Sequence, residues 1–449
     1  MALTDRQSTL SQLRASVTCP HCWFKFPPED VLWISAHSDL LGDSLLGKDH
    51  QERFLPSRFT VDGKALDRKG VPCRRLACPH CQLSISPAFL EMDPLFVSIL
   101  GSPASGKSYY LASMTSALRA TLKSSFSLSF LDPDPEANRK LTEYEAKLFR
   151  NPQPDQPVTL EKTELEGDCY ESVKYHDRQV WYPRPFVFSI QPQESHPAYA
   201  KRGLISRALC LYDNAGEHFL PGGESPNSPG TQHLALSRVL LFLFDPMQHH
   251  KFRARCQARS SDPQLAPGWP CFEQDQVLLE AGRRIRESGR LAFSEKFKHP
   301  LVVVVTKFDV WRFLLNLKKL DAQQVIRPIG PHLSALDLET LRAVSRELRG
   351  LLEDLAPEMV MAAEGFCEHV LYLPTAALGH SPEKIPSAQP GQPEVLAIRP
   401  KDIKPIWTEI PMLYALHDAA GGLVRGGTPP GSGSPSVFPP PHLLKETGS

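Results

Sequence analysis

The sequence has no excess of either charge. Lys and Arg together number 50, as do Asp and Glu, so the formal net charge is zero. This balance excludes a whole-chain positive field of the kind that attracts nucleic acid or an anionic membrane. Long apolar runs are also missing, since the longest, at 239–244 and 301–305, fall far short of the roughly 20 residues that span a bilayer. Because the N-terminus also lacks a signal-like stretch, we predict a cytoplasmic protein without a transmembrane segment.

Cysteine is scarce and unevenly placed. Ten cysteines in 449 residues are too few for a disulfide scaffold, yet five of them fall within the first 81 residues. Two C-x-x-C pairs offer four thiolates, the ligand set of a closed structural Zn²⁺ site, at Cys19, Cys22, Cys78 and Cys81. The alternative, a redox C-x-x-C motif, would need only one pair. Cys73 could replace one of the four cysteines as a metal ligand. We expect zinc in a zinc-ribbon-like module of residues 1–90.

Proline is abundant, at 43 residues, which is about twice the usual share of roughly 5%. Long loops are therefore expected between the regular elements. The segment 421–449 is rich in Gly, Pro and Ser and is predicted to be disordered. In the remaining segment, 91–420, short apolar runs alternate with helical patterns. This alternation predicts an α/β domain with a doubly wound, mostly parallel sheet and long insertions.

Six nearly continuous apolar runs predict strands that helices cover on both faces. They are Leu95–Leu100, Phe186–Gln191, Ala208–Tyr212, Val239–Phe244, Leu301–Val305 and Val370–Leu373. Helical spacing of apolar residues predicts four helices. They are Lys107–Leu122, Gln274–Glu287, Leu338–Leu355 and Lys404–Ala419. Two long insertions, at about 123–185 and 246–300, are expected to be loops of functional importance.

The strongest motif follows the first predicted strand and opens the first predicted helix. It matches G-x-x-x-x-G-K-[ST], and its residues are Gly101, Ser102, Pro103, Ala104, Ser105, Gly106, Lys107 and Ser108. Glycines let such a loop wrap phosphates closely, while backbone N–H groups and the helix N-terminus supply positive potential. Lys107 would reach the β- and γ-phosphates, and the Ser108 hydroxyl would bind Mg²⁺. The motif therefore predicts a nucleotide site.

Three further motifs stand at the ends of later strands. Asp213 and Gly216 form a D-x-x-G, in which the carboxylate can hold the Mg²⁺ shell and the glycine N–H can sense the γ-phosphate. The T-K-x-D and T-A motifs that follow the next strands supply Thr306, Lys307, Asp309, Thr375 and Ala376. Ligands bind at the carboxyl ends of strands in open α/β sheets, so this order favours one nucleotide site to which all four motifs contribute.

This succession of motifs resembles the Ras-like and translation-factor-like class of P-loop GTPases, over roughly residues 95–419. The resemblance implies that Asp213 and Gly216 form the second switch, that Lys307 and Asp309 read guanine, and that Ala376 contacts the base through its backbone. More narrowly, the phosphate loop, the YDNAGEHF segment, the FLFDP strand end and the preceding cysteine module look like the double-GTPase proteins of bacterial conflict systems.

The sequence departs from the pattern of this class at two positions. Thr306 stands where Asn is usual, which shortens a side chain that braces the phosphate loop and predicts modest affinity. Glu217 stands where a water-positioning Gln is usual, so hydrolysis is predicted to be slow or dependent on a partner, with Glu217 as a candidate to polarise water. The first-switch threonine is either Thr159 or Thr163.

We expect a GTP-binding switch that hydrolyses GTP to GDP with Mg²⁺, with the zinc module as a docking element for a protein partner. Two alternatives remain open at this stage. One is a P-loop ATPase. The other is a scaffold or interaction protein that holds its nucleotide with little or no hydrolysis.

Overall fold

The computed structural model describes most of the chain. The described residues are 13–160, 169–176, 178–214, 219, 229–292, 294–315, 325–331, 333–386 and 394–427. Gly216, Glu217 and Thr163 lie outside them, as does the segment 428–449.

A seven-stranded sheet forms the centre of the molecule. Its strands are β9 (Asp93–Gly101), β10 (Leu128–Leu131), β13 (Phe186–Pro192), β14 (Arg207–Asp213), β15 (Val239–Phe244), β16 (Leu301–Val305) and β19 (Val370–Pro374). Their spatial order is β10-β13-β14-β9-β15-β16-β19. The five strands from β14 to β19 are mutually parallel, whereas β13 runs antiparallel to β14 and β10 runs antiparallel to β13. The predicted mixed α/β architecture with a mostly parallel sheet is confirmed, as are all six predicted strands.

Eleven α-helices are present in the described ranges. They are α1 (Ala88–Glu91), α2 (Lys107–Phe126), α3 (Arg139–Phe149), α4 (Arg202–Ile205), α5 (Pro229–Leu236), α6 (His250–Cys256), α7 (Gln274–Gly289), α8 (Phe308–Trp311), α9 (Leu338–Leu355), α10 (Pro357–Phe366) and α11 (Ile410–Ala419). The prediction for α9 matches both ends, because Asp337 caps its N-terminus by accepting hydrogen bonds from the N–H groups of Glu339 and Thr340.

Both faces of the sheet are buried, as its continuous apolar strands require. Alternate residues of β15 point to opposite sides: Leu241 and Leu243 join a core that includes α2 and α11, whereas Phe242 and Phe244 join a core that includes α7 and α10. The β9–β14 part of this second face is covered differently, by the cysteine-containing N-terminal residues.

Short strands build the remaining parts of the fold. In the N-terminal region they are β1 (Val17–Thr18), β2 (Lys25–Phe26), β3 (Leu32–Ile34), β4 (Leu41–Asp43), β5 (Gly47–Gln51), β6 (Arg53–Phe54), β7 (Arg75–Ala77) and β8 (Ser84–Ile85). Elsewhere they are β11 (Tyr170–Tyr175), β12 (Arg178–Pro183), β17 (Ile326–Gly330), β18 (Leu333–Asp337), β20 (Glu383–Ile385), β21 (Val395–Ala397) and β22 (Arg425–Gly427).

Three predictions about the outer segments need correction. The insertions are not structureless, since the first contains β10, α3 and the β11–β12 hairpin. The helix predicted from Lys404 begins at Ile410 instead, because the preceding residues pair with another segment through Ile406 and Ala376. The segment predicted to be disordered from residue 421 starts with ordered chain, since Leu423 and Val424 are buried and β22 follows them.

No helix in the described ranges is both long enough and apolar enough to cross a membrane.

Candidate functional site

The predicted phosphate loop lies between β9 and α2, as its motif requires. Gly101 faces Leu243, whose carbonyl oxygen would lie only 2.9 Å from an added Cβ. Gly106, just before α2, has φ of +87°, a conformation that glycine adopts without strain. The Lys107 ammonium folds back over the loop and donates hydrogen bonds to the carbonyl oxygens of Gly101 and Ser102, at 2.9 Å each. These two hydrogen bonds hold the loop in a curved conformation around the Lys107 ammonium.

Two buried glutamines brace this loop, and sequence reasoning did not find them. The Ser102 hydroxyl donates to Gln248 Oε1 at 2.6 Å, and Gln248 Nε2 donates to Pro103 O at 2.9 Å. Gln274, at the start of α7, fixes the segment before Gln248 by pairing with both backbone groups of Asp245, at 2.8 and 2.9 Å. Gln248 and Gln274 are 1% and 3% exposed. These residues hold the loop to the end of β15.

The hydrogen bonds of Thr306 serve a different purpose. Its hydroxyl donates to Phe244 O at 3.1 Å, and its carbonyl accepts from the Trp311 indole at 2.8 Å. The short side chain thus serves the local turn after β16. Gln248 occupies the bracing role that a longer side chain at position 306 would be expected to fill.

Asp213 ends β14, the strand next to β9, and is paired in register with Ile99. Its Oδ1 atom is buried and has no hydrogen-bond partner among the described residues. Burial raises the pKa of Asp213, and the positive Lys107 opposes this rise. An unpaired carboxylate oxygen close to the loop lysine suits a hard cation such as Mg²⁺, together with the Ser108 hydroxyl at the start of α2. The other predicted switch residues, Gly216 and Glu217, lie outside the described ranges.

The residues predicted to read the base follow β16. Lys307 has φ of +56° and forms an ion pair with Asp245, with Nζ and Oδ2 2.5 Å apart. Asp309 is the second residue of α8, and burial raises its pKa to about 6, with the negative Asp262 adding to the rise. At pH 7 a group with this pKa is mostly ionised. Asp309 can therefore accept hydrogen bonds. Lys307 is instead paired with the carboxylate of Asp245, a partner that the sequence did not predict.

Thr375 and Ala376 follow β19 at the same edge of the sheet. The Phe308 N–H donates to Thr375 O at 3.0 Å, which brings the T-A motif beside the turn that carries Asp309. Thr375 Oγ1 is buried without a hydrogen-bond partner in the described chain. The resemblance implies that the backbone of Ala376 contacts the base. In the structure the Ala376 N–H donates to Ile406 O at 3.0 Å. Its contact with a base remains a prediction.

Of the two first-switch candidates, Thr159 falls within the described residues and is exposed. The N–H of the next residue, Leu160, donates to the hydroxyl of Tyr109 at 3.3 Å, and Tyr109 lies in the first turn of α2. This bond holds the backbone next to Thr159 near the start of that helix. Thr163 lies outside the described residues.

The four predicted zinc ligands come together. The sulfur atoms of Cys19, Cys22, Cys78 and Cys81 all lie within 4.8 Å of one another. Two Sγ pairs, Cys19 with Cys81 and Cys22 with Cys78, are 3.7 Å apart. Sulfurs at about 2.3 Å from a tetrahedral Zn²⁺ lie roughly 3.8 Å apart, so the donor set and its spacing fit zinc.

Other groups around this four-cysteine cluster have structural roles. Backbone N–H groups of His21 and His80 donate to Cys19 Sγ and Cys78 Sγ, both at 3.4 Å. The His21 ring is buried between the carbonyl oxygens of Pro183 and Ser84, at 3.0 Å each. Cys73 lies outside the cluster and donates to Val71 O. It is therefore not a zinc ligand here.

The cluster is packed onto the sheet rather than held apart from it. One hydrophobic core contains Cys19, Cys78 and Cys81 together with residues of three sheet strands, among them Phe96, Val187 and Cys210. The Tyr212 hydroxyl, near the end of β14, donates to Pro20 O at 2.6 Å. The candidate metal site and the candidate nucleotide site thus share strands β9 and β14.

Comparisons with known proteins connect the chain with a distant relative. The chain matches no protein-family profile. Over 244 residues it is 23% identical to a protein of Mycolicibacterium smegmatis that bears the provisional name ESX-1 scaffolding and assembly protein SaeC. The match covers 54% of this chain and 53% of that protein, so the chain spans about half the length of this relative.

Proposed function

We propose that this protein is a GTP-binding switch that hydrolyses GTP to GDP with Mg²⁺. The observation that carries the proposal is the convergence of four motifs at one edge of the sheet. The phosphate loop, Asp213, Asp309 and Thr375 lie at or just after the ends of the parallel strands β9, β14, β16 and β19. Ligands of open α/β sheets bind at this edge, the carboxyl ends of the strands.

Each group in the site has a chemical task suited to phosphoryl transfer. Backbone N–H groups of the loop and the start of α2 favour negative charge, and Lys107 adds a cation beside the phosphates. Ser108 and Asp213 would hold Mg²⁺, which neutralises charge on the phosphate oxygens when it is bound. Because Gln248 fixes Ser102 and Pro103 before nucleotide arrives, the loop should lose little conformational entropy when nucleotide binds.

The choice of guanine rests on Asp309. Its carboxylate would accept hydrogen bonds from the ring N–H and the exocyclic amine of guanine. Adenine presents an acceptor at that ring nitrogen and no amine beside it, so ATP would leave a largely buried carboxylate unpaired. Sites built to pair with a hydrogen-bonding group can reject analogues lacking it by about 10⁴-fold.

A second candidate function is a scaffold that holds its nucleotide with little or no hydrolysis. The name of the Mycolicibacterium smegmatis relative, which refers to scaffolding and assembly, favours it. Glu217 in place of a water-positioning Gln points the same way. In either function the cysteine module and the segments around Asp213 would be the surfaces that meet a protein partner.

The nucleotide that co-purifies with the full chain tests these functions directly. The protein is purified without added nucleotide, denatured, and the released nucleotide is identified by ion-exchange chromatography. Affinities for GDP and ADP are then measured with fluorescent analogues, and phosphate release is followed with GTP and Mg²⁺.

GDP or GTP in the released fraction, tighter binding of GDP than of ADP, and phosphate release would support the switch. Equal binding of ADP would replace it with the ATPase. Bound GTP without turnover, also after addition of a partner, would favour the scaffold. A chain that binds no nucleotide would overturn all three.

A further inference from the structure

Three aromatic side chains connect the four-cysteine cluster with the end of β14. They are Trp23, Tyr212 and His233, which we call the aromatic bridge. Trp23 belongs to the N-terminal region, Tyr212 to β14 and His233 to α5. They are 9%, 1% and 0% exposed, so the bridge runs entirely through the interior.

At the cysteine end, Trp23 is part of the first knuckle. Its N–H donates to Cys19 O at 3.1 Å, and its backbone has φ of +58°. The Trp23 indole donates to the Tyr212 hydroxyl at 3.4 Å, and this hydroxyl donates to Pro20 O at 2.6 Å. The position of Tyr212 therefore depends on the backbone of the Cys19–Cys22 knuckle, which a metal would fix.

At the nucleotide end, the His233 ring packs against Tyr212 and Trp23, with ring centroids 4.7 and 6.2 Å away. His233 Nε2 lies 2.7 Å from Asn214 Oδ1. Since Asn214 Nδ2 donates to Ile99 O at 3.1 Å, its Oδ1 is the acceptor and Nε2 is the donor.

Asn214 is placed to transmit this packing to the nucleotide. It directly follows Asp213, the candidate Mg²⁺ ligand, and its backbone N–H also donates to Ile99 O, at 3.2 Å. Ile99 lies two residues before the phosphate loop begins at Gly101. One asparagine thus fixes the end of β14 to the start of the loop.

From this arrangement we propose that metal binding at the four-cysteine cluster strengthens nucleotide binding at the phosphate loop, with Tyr212 and His233 as positioning residues for Asn214. The inference rests on the proposed function. A metal that holds the first knuckle also holds Pro20 O and Trp23, and close-packed interiors pass such constraints on. Asp213 is then ordered before nucleotide arrives, so less ordering entropy is lost on binding. Coupling of this kind is reciprocal, so nucleotide should also tighten the metal.

The test uses the full chain and two measurements. GDP affinity is measured in Mg²⁺ buffer for chain loaded with Zn²⁺ and for chain from which a chelator has removed it. We expect GDP to bind at least about fivefold more weakly to the zinc-free chain. In the second measurement, a chelating dye extracts Zn²⁺ from the loaded chain, and extraction should slow when GDP is present. This measurement stays informative if the zinc-free chain unfolds.

Two matched tyrosine variants distinguish the bridge from general damage near the cysteines. Tyr212→Phe keeps the ring but loses the hydrogen bond to Pro20. Tyr182→Phe also removes the hydroxyl of a buried tyrosine in the same hydrophobic core, but this hydroxyl pairs with Tyr175, at 3.2 Å, rather than with the first knuckle. Tyr212→Phe should abolish the effect of GDP on zinc extraction, whereas Tyr182→Phe should retain it.

The outcomes separate the inference from the function on which it rests. GDP binding that does not depend on zinc, with zinc extraction indifferent to GDP, would overturn the coupling and leave the switch intact. Equal loss of coupling in both tyrosine variants would overturn the assignment to the bridge. Absence of GDP binding in every form would overturn the proposed function, and the inference with it.

Discussion

Replacement of Gln248 by leucine removes the main brace of the phosphate loop with little change in side-chain size. Gln248 accepts from the Ser102 hydroxyl and donates to Pro103 O, and its side chain is buried. The substitution therefore deletes two hydrogen bonds in a place that water does not readily reach.

The expected size of the effect follows from these two bonds. Each is worth about 1 kcal/mol net, and a buried hydroxyl left without a good partner costs about 1–3 kcal/mol more. Ser102 is fully buried and would retain only a 3.4 Å contact with Gln274, whereas the partly exposed Pro103 can turn to water. Burial of the leucine offsets part of the loss, which leaves a net cost of about 2 kcal/mol.

This cost should be divided between two measurable quantities. If the loop keeps its shape in the variant, the free energy of unfolding falls by about 2 kcal/mol. If the loop leaves its braced conformation until nucleotide binds, GDP affinity falls instead, by up to about 30-fold. Urea unfolding and fluorescent GDP titration of the full chain measure the two contributions, and together they should account for about 2 kcal/mol.

Gln276→Leu is the matched control, because Gln276 lies on α7 near Gln274 but is exposed, and its side-chain amide donates to the adjacent Asp275. It should change neither quantity appreciably. If Gln248→Leu alters unfolding and GDP affinity no more than this control does, then the two glutamine hydrogen bonds do not brace the loop and the reasoning is wrong.

Three further predictions concern the other parts of the two sites. The purified chain should contain about one zinc per chain, and Cys78→Ser should lose the metal and lower the unfolding midpoint in a thermal scan, because binding free energy in such sites is folding free energy; zinc-free protein prepared without chelator would contradict the site. Lys107→Ala should weaken GDP binding at least about tenfold, since a charge-assisted contact is worth about 1.5–3 kcal/mol, and unchanged affinity with an intact circular dichroism spectrum would refute the phosphate assignment. GDP affinity should also fall as pH drops through about 6, the raised pKa of Asp309, because base reading needs the carboxylate. The same raised pKa means that ionised Asp309 destabilises the nucleotide-free fold above about pH 6 and that this penalty disappears as pH falls toward the ordinary value of 3.8. GDP titrations between pH 5.5 and 8 check the first sign, and urea unfolding of the nucleotide-free chain between about pH 4 and 7 checks the second. Asp309→Asn should show neither dependence.

Six of the seven strands of the central sheet could be predicted because their apolar runs are nearly continuous, as in Leu301–Val305. Strand β10 and the β11–β12 hairpin could not, since β10 has only four residues, and Tyr170–Tyr175 and Arg178–Pro183 show neither a long apolar run nor a regular alternation. Tertiary pairing, rather than local preference, decides the structure of these segments.

The same distinction applies to the candidate site. Residues in local motifs could be predicted, whereas residues joined by long-range contacts could not. The phosphate loop and the two C-x-x-C pairs have local spacings that state their chemistry. Gln248 has no such spacing, because its partner Ser102 lies 146 residues away, and Trp23 and Tyr212 lie 189 residues apart. The FLFDP strand end contributes only to a resemblance at the level of sequence, although its aspartate, Asp245, forms an ion pair with Lys307 in the structure. Contacts between residues so far apart in the chain depend on the order of the strands in the sheet, and local sequence patterns do not determine that order.

The hydrophobic core that the cysteine-containing residues share with β9, β13 and β14 limits how the chain can be divided. Expression of residues 91–427 alone would uncover Phe96, Val187 and Cys210 on one face of the sheet. An apolar sheet face of that kind invites self-association. A truncated chain that precipitates would therefore say nothing about nucleotide binding, and biochemical work on the sheet edge has to retain the N-terminal residues even when the metal is not under study.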